Sequence, residues 1–273
     1  MAKGNPVGPK ALPQEVVQAV EPLRFQANGA APVMAEDYVV VEDVLVIEIE
    51  DVGSYTLLCT PYETSALAVG FAFAEGIISG IDDISRLHHC DDTPGVIRIV
   101  LANPAQVPGT QRNLVCGSRE AVERFVSGTC AVGQSLSVTT ALLLSTLQDM
   151  QAQQRLFSQT GGTHAAAIFS GGGEIIAFSE DIGRHNALDK AIGKCLLGGI
   201  PIAGCGVVLS GRVSFELVAK SARAGLELIA AVSAPSSLAV EAAEQSNITL
   251  CGFVRTDRAT VYTHPQRIQH LPG

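Results

Sequence analysis

Tryptophan is absent from this chain, and aromatic residues make up only 5% of it. Small apolar side chains predominate instead, which favours close helix-on-sheet packing over an aromatic binding platform. Charge is also scarce, at 16% of residues, and its balance is acidic: 18 Lys and Arg stand against 27 Asp and Glu, a net of -9. Neutralising a phosphate backbone needs a basic surface, so a nucleic-acid partner is excluded, although a local anion site is not. No apolar run approaches the length of a membrane span, and the first residues lack the apolar core of a secretory signal. A cytoplasmic protein with no membrane partner is therefore expected.

Paired cysteines are missing too. The seven cysteines, an odd number, are scattered without the spacing of a disulfide framework or a zinc knuckle. Cys59, Cys195, Cys205 and Cys251 sit in apolar runs, where a thiol is a small buried hydrophobe. Cys116 and Cys130 lie beside glycines in less regular segments, and these two invite a chemical reading.

With 273 residues, 47% of them hydrophobic, the chain can bury a full core in one large unit or two modest ones. Residues 1–37 hold several prolines and little periodicity and read as a flexible, loosely docked tail. Residues 38–134 read as a small α+β domain ending in a cysteine-bearing connector. They contain strands over 38–50, 55–59 and 96–101 and a helical stripe over 65–78. The pattern breaks up over 111–134, around a short helix near 119–125. Residues 135–273 read as an α/β domain: a helix over 138–155, a hairpin of 163–170 with 174–179, and a helix over 185–197 closed by Gly198 and Gly199.

The last third is the most legible. Short apolar strands over 205–209, 228–232 and 248–253 alternate with helices over 213–224 and 236–245, a βαβαβ run that requires a parallel, doubly covered sheet. Ligands of such sheets bind beyond the carboxyl ends of the strands. The residues there are Ser210-Gly211-Arg212, then Ser233-Ala234-Pro235-Ser236, then Val254-Arg255-Thr256-Asp257-Arg258. Two of these loops open helices, whose free N–H groups favour an anion, and arginine adds a planar donor fork suited to pyrophosphate. Each loop alone is ordinary turn chemistry; the coincidence of three points to a nucleotide-like ligand.

A second polar cluster is denser. Thr160-Gly161-Gly162-Thr163-His164 leads into one strand, and Glu180-Asp181-Ile182-Gly183-Arg184-His185-Asn186 joins the next strand to a helix. Asp181 taken alone reads as a helix cap, and His164 as a satisfied core histidine. Together with Asp189 and Lys190, one turn onward, they read as a functional loop on rigid elements.

At this point the chain resembles the FdhD family of formate dehydrogenase accessory sulfurtransferases. The resemblance is carried by Ala68-Val69-Gly70-Phe71-Ala72-Phe73-Ala74-Glu75-Gly76, by the two polar clusters just quoted, by Leu209-Ser210-Gly211-Arg212-Val213-Ser214-Phe215-Glu216, by Ser233-Ala234-Pro235-Ser236, and by Gly252-Phe253-Val254-Arg255 with Tyr262-Thr263-His264-Pro265. It implies a cytidine-deaminase-like three-layer C-terminal domain behind a smaller N-terminal α+β domain, and a homodimer. It further implies a sulfurtransferase that accepts persulfide sulfur from a cysteine desulfurase. The sulfur passes to molybdenum bis(molybdopterin guanine dinucleotide), a bound substrate destined for formate dehydrogenase. Deaminase chemistry is not implied, because the H-x-E and P-C-x-x-C pattern that holds zinc is missing.

The family's sulfur-carrying loop is a C-x-x-C in a Ser/Gly-rich segment. Its best match is Ser127-Gly128-Thr129-Cys130-Ala131-Val132-Gly133, which makes Cys130 the expected catalytic thiol and places Gly133 where the second cysteine would stand. One thiolate suffices to take up sulfane sulfur, while disulfide trapping at this loop is not expected. Cys116 is the rival. The family's cofactor-binding stretch falls on Phe253, Val254, Arg255, Thr256, Asp257 and Arg258, and the guanine nucleotide moiety is expected to meet Ser210, Gly211, Arg212, Ser233, His164, Asp181, Arg184 and His185 as well. A lone cysteine also leaves room for a cofactor-binding chaperone that transfers no sulfur, and a pocket without a reactive thiol would make a plain nucleotide-binding module. Cys130 is further expected to reach the mouth of the crevice formed by Ser210, Ser233 and Arg255.

Overall fold

Alternation with a period of two over Asp43–Ile49 (β5) turns Leu45, Ile47 and Ile49 to one buried face. A tight turn with Asp51 and Gly53 at positive φ returns the chain as Gly53–Cys59 (β6). The computed structural model describes residues 16–90, 92–103 and 131–269. Within them, β5 pairs antiparallel with β6 and parallel with Val96–Leu101 (β8), and Ile84–His89 (β7) closes a four-stranded sheet of order β6-β5-β8-β7.

The helix Thr64–Ala74 (α1) is apolar around its whole circumference, which marks a helix buried on all sides. One neighbour is the helix Arg184–Leu197 (α4). A Cβ at Gly70 would lie 1.8 Å from the Asp189 carbonyl oxygen, and one at Gly193 would lie 1.9 Å from that of Ala66. The two glycines thus let the helix backbones touch. One apolar cluster runs through Ile47, Phe71, Leu188 and Val207 without a break. The parts expected as two domains therefore share a core, and the expected division at 134/135 falls just after residues outside the described set.

Val138–Thr139 (β9) forms a short separate pairing with Ile268–Gln269 (β16), and the second sheet has six strands in the order Ile175–Asp181 (β11), His164–Phe169 (β10), Gly206–Leu209 (β12), Leu228–Ala231 (β13), Thr249–Gly252 (β14) and Thr260–Thr263 (β15). Strands β12, β13 and β14 are parallel and fully buried, as their continuous apolar runs require. Phe215–Arg223 (α5) and Ser237–Gln245 (α6) supply the crossovers. Strand β10 runs antiparallel to β12 and carries β11 on its other side, while β15 pairs antiparallel with β14. Val207 and Leu209 pack with α1 and α4; Val208, Ala230 and Cys251 pack with Leu143, Leu147 and Met150 of Thr140–Gln153 (α2) on the opposite face. Helices therefore cover both faces of the sheet. The expected helix over 138–155 breaks at Gln154, after which Arg155–Thr160 forms a separate short helix (α3).

The reading of residues 1–37 as a flexible tail needs correction over 16–37. Val17–Val20 (β1) pairs with Asp37–Val40 (β4), and Leu23–Arg24 (β2) with Val33–Met34 (β3), with an Arg24 to Asp37 ion pair at 3.5 Å. The prolines that obscured the pattern flank a turn in which Asn28-Gly29 puts glycine at φ 75°, a dipeptide that signals a hairpin. Residues 1–15 lie outside the described set.

Candidate functional site

Parallel pairing brings the ends of β12, β13 and β14 to one edge of the sheet. Because β10 runs antiparallel to β12, its first residue, His164, starts at that same edge, and in register opposite it stands Asp181, the last residue of β11. The three strand-end loops and the second polar cluster thus form one constellation. A cleft of about 300 Å³ opens there, lined by His164, Thr163, Ser210, Val232, Gln154 and Phe157.

Ser210 is held by the ladder: its Oγ accepts from the Ala165 N–H at 2.8 Å and its own N–H donates to the Ala165 carbonyl at 3.0 Å. Gly211 is packed tightly, since a Cβ would stand 3.0 Å from His164 Nδ1 and 3.6 Å from the Cβ of Arg184. Arg184 begins α4, and its Nε is buried without a hydrogen-bond partner among the described residues. Arg212 is exposed. Burial, and then the Arg184 and Arg212 guanidinium groups, push the His164 imidazole below its ordinary range, with Asp181 opposing them weakly. These shifts mark a locally positive crevice on an acidic protein.

At the end of β14 the chain turns through Phe253 at φ 51°, whose N–H donates to the Ser233 carbonyl at 3.2 Å. Val254 is fully buried, so its side chain secures the loop. The Arg255 Nη1 donates to the Val232 carbonyl at 2.5 Å and to that of Val254 at 2.8 Å, and its N–H donates to the Arg258 carbonyl at 2.8 Å. One guanidinium is thereby fixed beside the cleft-lining Val232. Thr256, Asp257 and Arg258 are exposed on the same turn.

His185 Nε2 lies 3.0 Å from Ser214 Oγ and 3.2 Å from Glu216 Oε2. Burial, with Arg184, Lys220 and His164 nearby, pushes its pKa down to about 4. These effects outweigh the attraction of the Glu216 carboxylate, so the ring is neutral at pH 7 and presents Nε2–H to it. The folded-state pKa is depressed below the unfolded value near 6.5, so the unfolded chain binds the proton first, and stability is lost as pH falls from about 6.5 towards 4. His185→Gln is expected to flatten that part of the profile. Urea unfolding at a series of pH values checks it, and parallel profiles for the two proteins would contradict it.

Asp181 does not face the crevice. It is fully buried, 2.6 Å from the equally buried Lys190 Nζ. Its oxygens accept from the N–H groups of Thr60 at 3.1 Å and Gly183 at 2.8 Å and from Asn186 Nδ2 at 2.9 Å. Its part in the site is to tie the end of β6 to the loop that carries Arg184 and His185. Glu180 holds the neighbouring wall, accepting from the N–H groups of Leu156 and Phe157 and from the Thr163 hydroxyl, each at 2.9 Å. Gln154 and Phe157 were not among the expected site residues. Their position depends on the break between α2 and α3, which the helical pattern through residue 155 does not announce.

Cys130 and Cys116 lie outside the described residues. The chain following Cys130 is anchored at the edge of the sheet opposite the crevice. Val132 N–H donates to the Ser246 carbonyl at 2.9 Å, and the N–H groups of Ser135 and Leu136 donate to Glu227 at 3.0 and 2.7 Å. Glu227 and Ser246 precede β13 and β14. Cys59, Cys195, Cys205 and Cys251 are buried as expected, and burial pushes Cys59 and Cys195 up to about 11 and Cys251 to about 12. These thiols are poor nucleophiles. Among the described residues no group of three or more His, Cys, Asp or Glu is placed to hold a metal ion, and no helix is long and apolar enough to cross a membrane.

Residues 40–269 match the FdhD/NarQ family. The sulfur carrier protein FdhD of Bordetella bronchiseptica is 38% identical over 262 residues, covering 92% of this chain and 94% of that protein. The sulfur carrier protein FdhD of Picrophilus torridus is 36% identical over 244 residues, covering 85% and 92%. A solved structure, described as a putative formate dehydrogenase accessory protein from Desulfotalea psychrophila, superposes with a TM-score of 0.78 at 24% identity, over 93% of this chain and all of that one. The mixed α/β fold is thus shared, and the extent and identity of the sequence matches show that this chain belongs to the FdhD/NarQ family.

Proposed function

We propose that this protein is a sulfur carrier serving formate dehydrogenase. In this reading it accepts persulfide sulfur from a cysteine desulfurase and delivers it to molybdenum bis(molybdopterin guanine dinucleotide), which it binds as substrate. The observation that carries the binding half is that Arg184 and Arg212 act on His164, and Arg255 holds Val232, two residues that line one cleft at the strand ends of an acidic protein. A pyrophosphate-linked guanine nucleotide supplies the negative charge and hydrogen-bond acceptors that such a cleft lacks. The transfer half rests on Cys130. Its thiolate attacks the outer sulfur of the desulfurase persulfide, a new S–S bond forms as the old one breaks, and the desulfurase cysteine leaves as thiolate. The cytidine-deaminase-like layering, without zinc, the homodimer and the cytoplasmic location belong to the same proposal.

A second reading is favoured by one feature: Gly133 stands where the family's loop has a second cysteine. In that reading the protein binds the cofactor as a chaperone and transfers no sulfur.

The binding half has a direct test. Arg255→Ala and Arg258→Ala are each expected to lower affinity for guanosine diphosphate by about one to two decades, the worth of a charge-assisted hydrogen bond. Neither change should block sulfur loading of the protein. Calorimetric titration measures the loss; wild-type affinity in both variants would place the nucleotide elsewhere.

A further inference from the structure

We infer that Gln154 and Phe157 form the base-reading wall of this crevice, with the Gln154 amide as the residue that recognises the edge of the purine. The inference rests on the reading that the crevice takes a guanine nucleotide, and it assigns the base and the pyrophosphate to opposite sides of the cleft.

Gln154 is 7% exposed and lines the cleft, and its side-chain amide makes no hydrogen bond among the described residues. Its backbone is satisfied: the N–H donates to the Gln151 carbonyl at 3.2 Å and the carbonyl accepts from Ser158 at 3.1 Å. It caps neither adjoining helix with its side chain. Its amide nitrogen and oxygen are not themselves buried, so the group opens on the cleft, where a ligand can pair with it.

Phe157 lines the same cleft and is 47% exposed. The wall is rigid, because Glu180 is itself buried and fixes Leu156, Phe157 and Thr163 through hydrogen bonds of 2.9 Å. The chemistry of the two sides differs. An amide donates and accepts at once, which suits guanine, whose O6 acceptor and N1–H donor are adjacent, and a flat ring suits its face. Pyrophosphate offers only acceptors and is suited to the guanidinium groups of Arg184, Arg212 and Arg255.

Calorimetry on the full chain with guanosine diphosphate and with inorganic pyrophosphate tests the assignment. Gln154→Leu is expected to weaken guanosine diphosphate by about ten- to a hundredfold and leave pyrophosphate unchanged. The melting temperature of the ligand-free protein should hold, because the amide pairs with no described residue. Phe157→Ala should weaken the nucleotide by about tenfold or more, again without touching pyrophosphate. Unchanged nucleotide affinity in both variants would overturn the inference while leaving the crevice intact. Equal losses for pyrophosphate, or a lower melting temperature in Gln154→Leu, would assign the glutamine a structural role and overturn it as well. A wild-type protein that binds neither probe would remove the crevice reading itself, and this inference with it.

Discussion

Replacing Cys130 with alanine is expected to abolish activation of the client formate dehydrogenase while leaving guanine nucleotide affinity and thermal stability unchanged. The expectation follows from elimination as well as from the family's loop. Of the seven cysteines, Cys59, Cys195, Cys205 and Cys251 are buried. Burial holds all four in the protonated thiol form, and Cys251 is pushed furthest, to about 12. Cys90 sits half-buried in the turn between β7 and β8, on the four-stranded sheet and not on the sheet that bears the crevice. Sulfane transfer needs a thiolate that can meet two partners in turn. Client activation in a reconstituted assay measures the effect. Full activity in Cys130→Ala, with none in Cys116→Ala, would transfer the role to Cys116.

The route from that cysteine to the crevice is the part of the account least visible in sequence. Periodicity made the βαβαβ run legible, because four-residue strands buried on both faces read as unbroken apolar segments. The loops after them followed from topology. What periodicity does not carry is the antiparallel placement of β10, which brings His164 beside Ser210, nor the anchoring of Val132 and Ser135 at the far edge of the sheet. Those depend on pairings between residues distant in the chain. The expectation that Cys130 itself reaches the mouth of the crevice concerns a residue outside the described set. The nearest fixed points after it, Val132 and Ser135, lie at the edge of the sheet opposite the crevice. Asp181 shows a different limit. Its polar neighbours suggested ligand contact, whereas its oxygens are wholly taken by the protein, a distinction that only burial reveals.

The largest structural effect is expected there. Asp181→Ala leaves the Lys190 ammonium fully buried without its carboxylate and strips acceptors from Thr60, Gly183 and Asn186. Breaking a buried pair by removing one partner costs about 3–5 kcal/mol, a large share of the stability of an ordinary domain. The loop bearing Arg184 and His185 should loosen as well, so nucleotide affinity falls with stability. Asp181→Ala combined with Lys190→Met should regain part of the loss, since no unpaired charge then remains. Urea denaturation of the variants gives the comparison; a single-variant midpoint within error of wild type would remove Asp181 as the tie between β6 and the site.

The central claim, that this protein carries sulfur on Cys130, is tested most directly by mass spectrometry of the protein after incubation with a cysteine desulfurase and cysteine, with thiols alkylated before digestion. The account predicts one added sulfur atom on the peptide containing Cys130, and none in Cys130→Ala. An unmodified Cys130, under conditions in which the desulfurase is itself loaded with persulfide, would contradict it.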